Sequence, residues 1–210
     1  MFLENLLKSV GKKYKNIPIR GISFNSKKTR KEDVFFAIKG VRTSGTKFLS
    51  EVEKKGASAI ITDKKFKNTF SKIPVIKVKN SRISFSEACS NFYKGKPNNI
   101  VAVTGTNGKS SVSDFFYQIM NLNKIPVASI GTLGIKSKNY NKKTSLTSID
   151  ALSLHKNLKI LKKNKIENVI LEASSHGLDQ NRLDKINIKA GIFTNLSHDH
   201  LDYHKNMKLY

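Results

Sequence analysis

The stretch that decides the fold is Asn99-Ile100-Val101-Ala102-Val103-Thr104, continuing as Gly105-Thr106-Asn107-Gly108-Lys109-Ser110-Ser111. Its first part is short and apolar, which predicts a buried strand. The second part carries two glycines that allow a tight turn, and residues 109–121 are predicted to form the helix that follows. A strand, a glycine turn and a helix in this order are the parts of a phosphate-binding loop.

Each residue type in this turn suits that chemistry. Gly105 and Gly108 let backbone N–H groups point at phosphate oxygens, and the start of the helix adds its positive end. Lys109 can reach the β and γ phosphates, and the Ser110 hydroxyl can bind magnesium. The spacing departs from the common G-x-x-x-x-G-K-[ST] pattern, because Val103 stands where that pattern has its first glycine. The alternative is a plain glycine turn before a helix.

The rest of the chain alternates strands and helices, which predicts an α/β fold with parallel sheets covered by helices. A polar turn cluster at residues 95–99 marks a domain boundary. We therefore expect a small N-terminal α/β domain at 1–95 and an incomplete, parallel-sheet ATPase domain at 96–210. The predicted strands are 33–38, 57–62, 74–78, 99–104, 126–130, 169–173 and 190–194, and the predicted helices are 47–55, 81–93, 109–121 and 148–163.

Charge and composition narrow the class of protein. The formal net charge is +24, which raises the possibility of a nucleic-acid partner. The lysines are scattered over many segments, however, and aromatic residues are not interleaved with them as in RNA-binding sheets. No apolar stretch approaches the ~20 residues that cross a bilayer, and residues 1–7 do not resemble a secretory signal. A single cysteine, Cys89, excludes an internal disulfide, so we expect a cytoplasmic protein.

Two polar segments follow later strands. In the first, Glu172 ends a strand and is well placed to hold a cation beside bound phosphates. Gln180 and Arg182 in the same segment can hold a sugar hydroxyl or a carboxylate. The second segment is residues 193–204, and its last seven residues, 198–204, contain three histidines and two aspartates. Zinc is one interpretation, but no cysteine is near, and magnesium suits an ATP site better; a solvated polar loop is the other alternative.

These motifs together resemble one family. The loop Thr-Gly-Thr-Asn-Gly-Lys-Ser-Ser, residues 104–111, is similar to the ATP-binding loop of the Mur ligases and of the folylpolyglutamate synthetases. The patterns Glu-x-Ser-Ser-His-Gly-Leu…Gln-x-Arg and Thr-Asn-Leu-x-x-Asp-His-Leu-Asp-Tyr-His look like the tripeptide-forming branch of the Mur ligases. That branch adds the third amino acid to UDP-N-acetylmuramoyl-L-alanyl-D-glutamate through an acyl phosphate, using ATP and Mg²⁺.

The resemblance implies a role for residues in both domains. ATP would bind at Gly105, Thr106, Asn107, Gly108, Lys109, Ser110 and Ser111. Magnesium would bind at Ser110, Glu172 and His200, and Lys109, Glu172 and His200 would be the catalytic residues. The UDP-muramoyl dipeptide would contact Phe24, Ser26, Thr147, Ser148, Ser174, Gln180 and Arg182, with a further nucleotide contact at Val41-Arg42-Thr43.

Several expectations concern the whole protein. Family members continue with a third domain and a carbamylated lysine, so we expect this sequence to be an N-terminal fragment that cannot complete the ligation. The second substrate is a diamino acid, expected to be meso-diaminopimelate rather than lysine, and the protein is expected to be a monomer. A folylpolyglutamate synthetase-like ligase, a basic nucleic-acid-binding protein and a non-catalytic nucleotide-sugar module remain as alternatives.

Overall fold

The computed structural model describes residues 1–40, 43–66 and 71–210, which divide into two compact units, Met1–Tyr93 and Lys94–Tyr210. The predicted α/β class is confirmed, since each unit is built around a sheet with helices. Among the described residues, no helix is long and apolar enough to cross a membrane.

The first unit is a parallel sheet of four strands in sequential order. One of its two inner strands, Asp33–Phe36, is buried along its whole length, and Phe35 and Phe36 are fully buried. The first strand was not predicted because it has only three residues, too few to display a period. The strands are β1 (Gly21–Ser23), β2 (Asp33–Phe36), β3 (Ala59–Asp63) and β4 (Val75–Val78), and the helices are α1 (Leu49–Lys54) and α2 (Ser81–Phe92).

The second unit contains a five-stranded sheet in the order β7-β6-β8-β5-β9. The strand before the glycine turn, β5, lies inside the sheet between β8 and β9 and runs parallel to both. The strands are β5 (Asn99–Thr104), β6 (Val127–Gly131), β7 (Gly134–Ser137), β8 (Asn168–Glu172) and β9 (Ala190–Phe193). The helices are α3 (Lys109–Leu122), α4 (Ala151–Lys163), α5 (Ser175–Asp179) and α6 (Leu201–His204).

Two details differ from the sequence prediction. The sheet is mixed, because β7 returns antiparallel to β6 after the short turn at Thr132 and Leu133. The helix predicted from residue 148 begins instead at Ala151. Asp150 caps it, since its carboxylate accepts a hydrogen bond from the Ser153 N–H at 2.9 Å, and a capping residue ends the helix on its N-terminal side.

The helices cover the second sheet unequally. Leu154, Leu158 and Leu161 of α4 are buried in the core against β5, β6 and β8. By contrast, α3 buries only Ser113, and its apolar residues Phe115, Ile119 and Leu122 are largely exposed. Of the two long helices of this unit, α4 therefore contributes more to apolar burial than α3 does.

His155, on the same buried face of α4, makes the stability of this unit depend on pH. The ring is 0% exposed. Burial, together with the positive charge of Lys96, lowers the pKa of His155 from 6.5 to about 4, and the backbone of Asp184 acts in the opposite direction. At a pH between these two pKa values, His155 binds a proton in the unfolded chain but not in the folded chain. The free energy of unfolding therefore falls as the pH decreases from about 6.5 to about 4.

We expect this loss to reach about 3 kcal/mol at the lower end of that range. Urea unfolding of the parent chain and of His155→Met, at neutral pH and near pH 4.5, measures it. Methionine is apolar, of similar size and does not titrate, so the variant should lose less stability than the parent on acidification. Equal losses in the two proteins would contradict this origin of the pH dependence.

Candidate active site

The glycine loop between β5 and α3 has the geometry that its sequence predicts. Gly105 and Gly108 have φ angles of +133° and +85°, in the region that favours glycine. A Cβ on Gly105 would lie 2.1 Å from Thr194 Oγ1 and 2.9 Å from the Asn195 carbonyl oxygen. Gly105 is thus required both by its backbone angle and by the close approach of the segment after β9.

That segment holds the loop in place. The Thr194 hydroxyl donates to the Asn107 carbonyl at 2.6 Å. The Asn195 side chain accepts from Asn107 N–H at 3.0 Å and donates to its carbonyl at 3.1 Å, and the Asn195 carbonyl accepts from Thr106 N–H at 3.0 Å. Thr194 and Asn195, at the start of the histidine-rich segment, therefore shape the predicted phosphate loop, residues 105–111, a role that was not predicted from the sequence.

Lys109 lies over its own loop. Its ammonium donates to the carbonyls of Gly105 and Thr106 at 2.6 and 2.9 Å. Within the described part of the chain, no carboxylate forms an ion pair with Lys109, so its partners are neutral. A cation held at the loop without a counter-ion is suited to an anionic ligand such as a phosphate.

Glu172, at the end of β8, is the acceptor at the centre of the site. It is 4% exposed and receives three hydrogen bonds from two neighbouring segments. The Ser110 hydroxyl donates to Oε2 at 2.9 Å, the Thr132 hydroxyl donates to the same oxygen at 2.8 Å, and the Thr132 N–H donates to Oε1 at 3.1 Å. The structure thus brings together two of the three predicted magnesium ligands, Ser110 and Glu172.

Thr132 is a site residue that the sequence analysis missed. It directly follows β6, and its hydroxyl also lies 3.0 Å from the hydroxyl of Thr147, a predicted substrate contact. Gly131 makes the arrangement possible, because a Cβ there would lie 2.1 Å from Glu172 Oε1. A polar residue at the carboxyl end of a parallel strand was the signal that could have identified Thr132.

Ser148 joins the turn before α4 to the end of β8. It is 5% exposed, and its hydroxyl donates to the Glu172 carbonyl at 2.7 Å and accepts from the Ser174 N–H at 2.8 Å. Ser174 in turn caps α5, with its hydroxyl accepting from the Gly177 N–H at 3.1 Å. Both serines were predicted to contact substrate, and the structure gives their hydroxyls partners within the protein.

Arg182 and Gln180 lie beside this turn. The Arg182 guanidinium donates to the Ser148 carbonyl at 2.5 Å and to Gln180 Oε1 at 2.8 Å. The Gln180 amide donates to the Tyr203 hydroxyl at 3.1 Å, and that hydroxyl donates to Asp179 at 2.6 Å. The two predicted substrate residues are therefore in contact, and Tyr203 orients them through a bond that connects α5 to α6.

The third predicted magnesium ligand, His200, belongs to a different group of side chains. Its ring lies 4.7 Å from that of His176, which is 4.1 Å from Tyr203 and 5.5 Å from His204. Burial, followed by the positive charges of His200, His204 and Arg182, lowers the pKa of His176, and Asp202 acts in the opposite direction. Over residues 1–40, 43–66 and 71–210, no three His, Cys, Asp or Glu side chains converge as a metal site.

In the first unit, the predicted uridine turn follows β1. Phe24 is 37% exposed, and its ring lies 5.1 Å from that of Phe85. Ser26 is buried, and its carbonyl accepts from Lys55 at 2.7 Å. Phe24 is therefore the accessible member of this pair. Val41 and Arg42 of the other predicted nucleotide contact lie outside the described residues.

Comparison with known proteins confirms the resemblance. Residues 103–210 match the Mur ligase middle domain, and residues 18–96 match the Mur ligase family, catalytic domain. The chain belongs to the Mur ligase family.

Comparison with individual proteins is more specific than the match to the family. The chain is 44% identical over 196 residues to the UDP-N-acetylmuramoyl-L-alanyl-D-glutamate--2,6-diaminopimelate ligase of Rickettsia montanensis, covering 91% of this chain and 40% of that protein. A solved structure of a ligase with the same name is 27% identical with a TM-score of 0.84, and the match covers 100% of this chain and 43% of the other. MurF ligase from Thermotoga maritima in complex with ADP has a TM-score of 0.57 at 27% identity, over 90% of this chain and 40% of that one. The chain thus spans about two fifths of the length of these relatives.

Proposed function

We propose that this chain carries the UDP-substrate domain (1–95) and the ATP-binding domain (96–210) of a ligase that joins diaminopimelate to UDP-N-acetylmuramoyl-L-alanyl-D-glutamate. The observation that carries the proposal is the contact of Ser110, from the phosphate loop, with Glu172 at 2.9 Å. It unites a phosphate-binding element with a buried carboxylate, the combination that phosphoryl transfer needs. The name of the relative at 44% identity supports the choice of substrates.

Each side of the ATP site has a role in this proposal. Backbone N–H groups of residues 105–111 and the Lys109 ammonium bind the phosphates. The oxygen atoms of Ser110 and Glu172 are the hard ligands that Mg²⁺ prefers, and an ion held there would neutralise charge on the phosphates. The family resemblance implies His200 as a further ligand, although its ring packs against His176 and not beside Ser110 and Glu172.

The reaction proceeds by two transfers. The γ-phosphoryl group of ATP passes to the terminal carboxylate of the D-glutamyl residue, which gives ADP and an acyl phosphate. The amine of the diamino acid then attacks the acyl carbon and an amide bond forms. Inorganic phosphate leaves with the electron pair of the broken C–O bond and takes up the proton that the amine nitrogen loses. Positioning and charge neutralisation by the loop are the contributions of this chain to the first transfer.

The muramoyl dipeptide is proposed to lie beside Arg182 and Gln180. The guanidinium is partly exposed and is held by the Ser148 carbonyl, so its orientation is set before the substrate arrives. Thr147, Ser148 and Ser174 complete this side, and Phe24 and Ser26 are proposed to contact the uridine. The free thiol of Cys89 is buried, which suits a reducing, cytoplasmic compartment; we further propose a monomer.

The alternatives are less well supported. A folylpolyglutamate synthetase-like ligase would share the phosphate loop, but the relatives named above act on muramoyl substrates by their names. A nucleic-acid-binding protein would need a continuous basic, aromatic surface. Tight binding of single-stranded DNA with a steep dependence on salt would favour that class instead.

Calorimetric titration with UDP-N-acetylmuramoyl-L-alanyl-D-glutamate tests the proposal. We expect saturable binding by the parent chain and a loss of about 30-fold or more in Arg182→Ala, because a charge-assisted contact contributes roughly 2–3 kcal/mol. Arg182→Lys keeps the charge but not the fork of donors and should give an intermediate affinity.

Two controls separate binding from folding. Arg20→Ala changes an arginine in the first unit whose side chain is 82% exposed, and it should bind as the parent does. Thermal unfolding of Arg182→Ala reports whether the loss of its bond to Ser148 destabilises the fold. A folded parent chain that fails to bind the muramoyl dipeptide would refute the proposal.

A further inference from the structure

A basic groove lies at the edge of the second sheet opposite the phosphate loop. The loop follows the carboxyl end of β5, whereas the groove includes Val127, the first residue of β6, which runs parallel to β8 and β5 in the same sheet. Its volume is about 940 Å³. It is independent of the ATP site, because none of its lining residues belongs to that site.

Four lysines line the groove, and its lining includes no aspartate or glutamate: Lys124, Lys136, Lys138 and Lys165. Lys136 is paired with Asp114 at 2.9 Å. Glu167, which follows the lining residue Ile166 in the chain, is paired with Lys162. In the described part of the chain, no carboxylate forms an ion pair with Lys124, Lys138 or Lys165, so the groove concentrates three uncompensated positive charges.

Two of these lysines, Lys124 and Lys165, lie just after the C-terminal ends of helices α3 and α4. Helices α3 and α4 are both followed directly by the sequence Asn-Lys-Ile, at residues 123–125 and 164–166. At each end the isoleucine N–H bonds back five residues, from Ile125 to Met120 at 2.9 Å and from Ile166 to Leu161 at 3.0 Å. This closing turn leaves the lysine exposed at the helix end, so Lys124 and Lys165 line the same groove.

The other lining residues indicate what kind of anion would fit. Four asparagines offer amide donors and acceptors that match the N–H and C=O groups of an extended peptide. Apolar residues also line the groove, and it is open, whereas small-molecule pockets enclose most of their ligand. The asparagines are Asn121, Asn139, Asn141 and Asn164, and the apolar residues are Ile125, Pro126, Val127 and Ile166.

We propose that this groove is a docking site for an acidic, extended segment of a partner protein. The lysines bind its carboxylates, and the asparagine amides bind its backbone. A second copy of this chain is a poor occupant, since two chains of formal net charge +24 repel each other. The proposal does not depend on the ligase activity.

Fluorescence anisotropy with labelled hexaglutamate tests the site on the full chain. We expect saturable binding at low salt with one peptide per chain, and no binding of hexaglutamine, which has the same backbone without charge. The double variant Lys138→Gln/Lys165→Gln should weaken binding about fivefold or more. Saturating ATP should leave binding unchanged, because the phosphate loop lies at the other edge.

A matched double variant, Lys156→Gln/Lys189→Gln, removes the same charge from exposed lysines outside the groove. An equal loss in both double variants would overturn the proposal, because attraction would then come from net charge alone. Amide NMR shifts on the parent chain give a second measurement that needs no variant. Peptide-induced shifts should concentrate at residues 124, 138 and 165, and shifts elsewhere, or tighter competitive binding of an oligothymidylate, would also overturn it.

Discussion

Gly105→Ala should weaken ATP binding about 100-fold while leaving the second unit folded. The new methyl group would lie 2.1 Å from Thr194 Oγ1 and within 3.0 Å of the Asn195 backbone, and alanine does not tolerate the φ of +133°. Relief requires the loop to separate from the segment after β9, at a cost of roughly 3 kcal/mol or more. We expect the affinity for ATP, measured by calorimetry with Mg²⁺ present, to fall about 100-fold.

Gly191→Ala is the matched control. It makes the same change in the neighbouring strand β9, where a Cβ would meet nothing within 4 Å, so ATP should bind as it does to the parent chain. Gly105→Ala/Thr194→Ala removes the contact with the hydroxyl but keeps the contact with the Asn195 backbone, and should recover the affinity only in part. Parent-like affinity in Gly105→Ala would show that this loop does not bind the phosphates.

Glu172→Gln should remove most of the magnesium dependence of ATP binding. The carboxylate accepts from Ser110 and twice from Thr132, and an amide cannot accept on both sides or supply the negative charge that holds a cation. We expect the affinity for ATP with Mg²⁺ to fall by about 30- to 100-fold, toward the value measured with EDTA. An unchanged ratio between these two affinities would contradict the role of Glu172.

Thr132 provides a graded comparison for the same experiment. Thr132→Ser keeps the hydroxyl and should bind ATP with nearly parent affinity. Thr132→Val keeps the shape but leaves Glu172 Oε2 with one donor fewer, a loss of about 1 kcal/mol or roughly fivefold in affinity. If serine and valine weaken binding equally, then the hydroxyl is not what positions the carboxylate.

The phosphate loop could be predicted from residues 99–111 because its information is local. A buried strand, two glycines and the start of a helix are adjacent in the chain, and their geometry follows from backbone freedom and hydrogen bonding. The same holds for the main strands and helices, whose ends differ from the prediction by a few residues. The exceptions are β1, β7, α5 and α6, which are too short to show a pattern, and the start of α4, which Asp150 sets three residues later than predicted.

The contacts of the site depend on the order of the strands. Ser110, Thr132 and Glu172 are separated by tens of residues and meet only because β6 and β5 both pair with β8. Likewise, Asn195 shapes the phosphate loop because β9 pairs with β5. Most of the candidate site residues could therefore be predicted from the sequence, because residue types and their local spacing indicate them. Which of them touch was decided by the tertiary structure, since strand order in a sheet results from packing of the whole unit and leaves no local pattern.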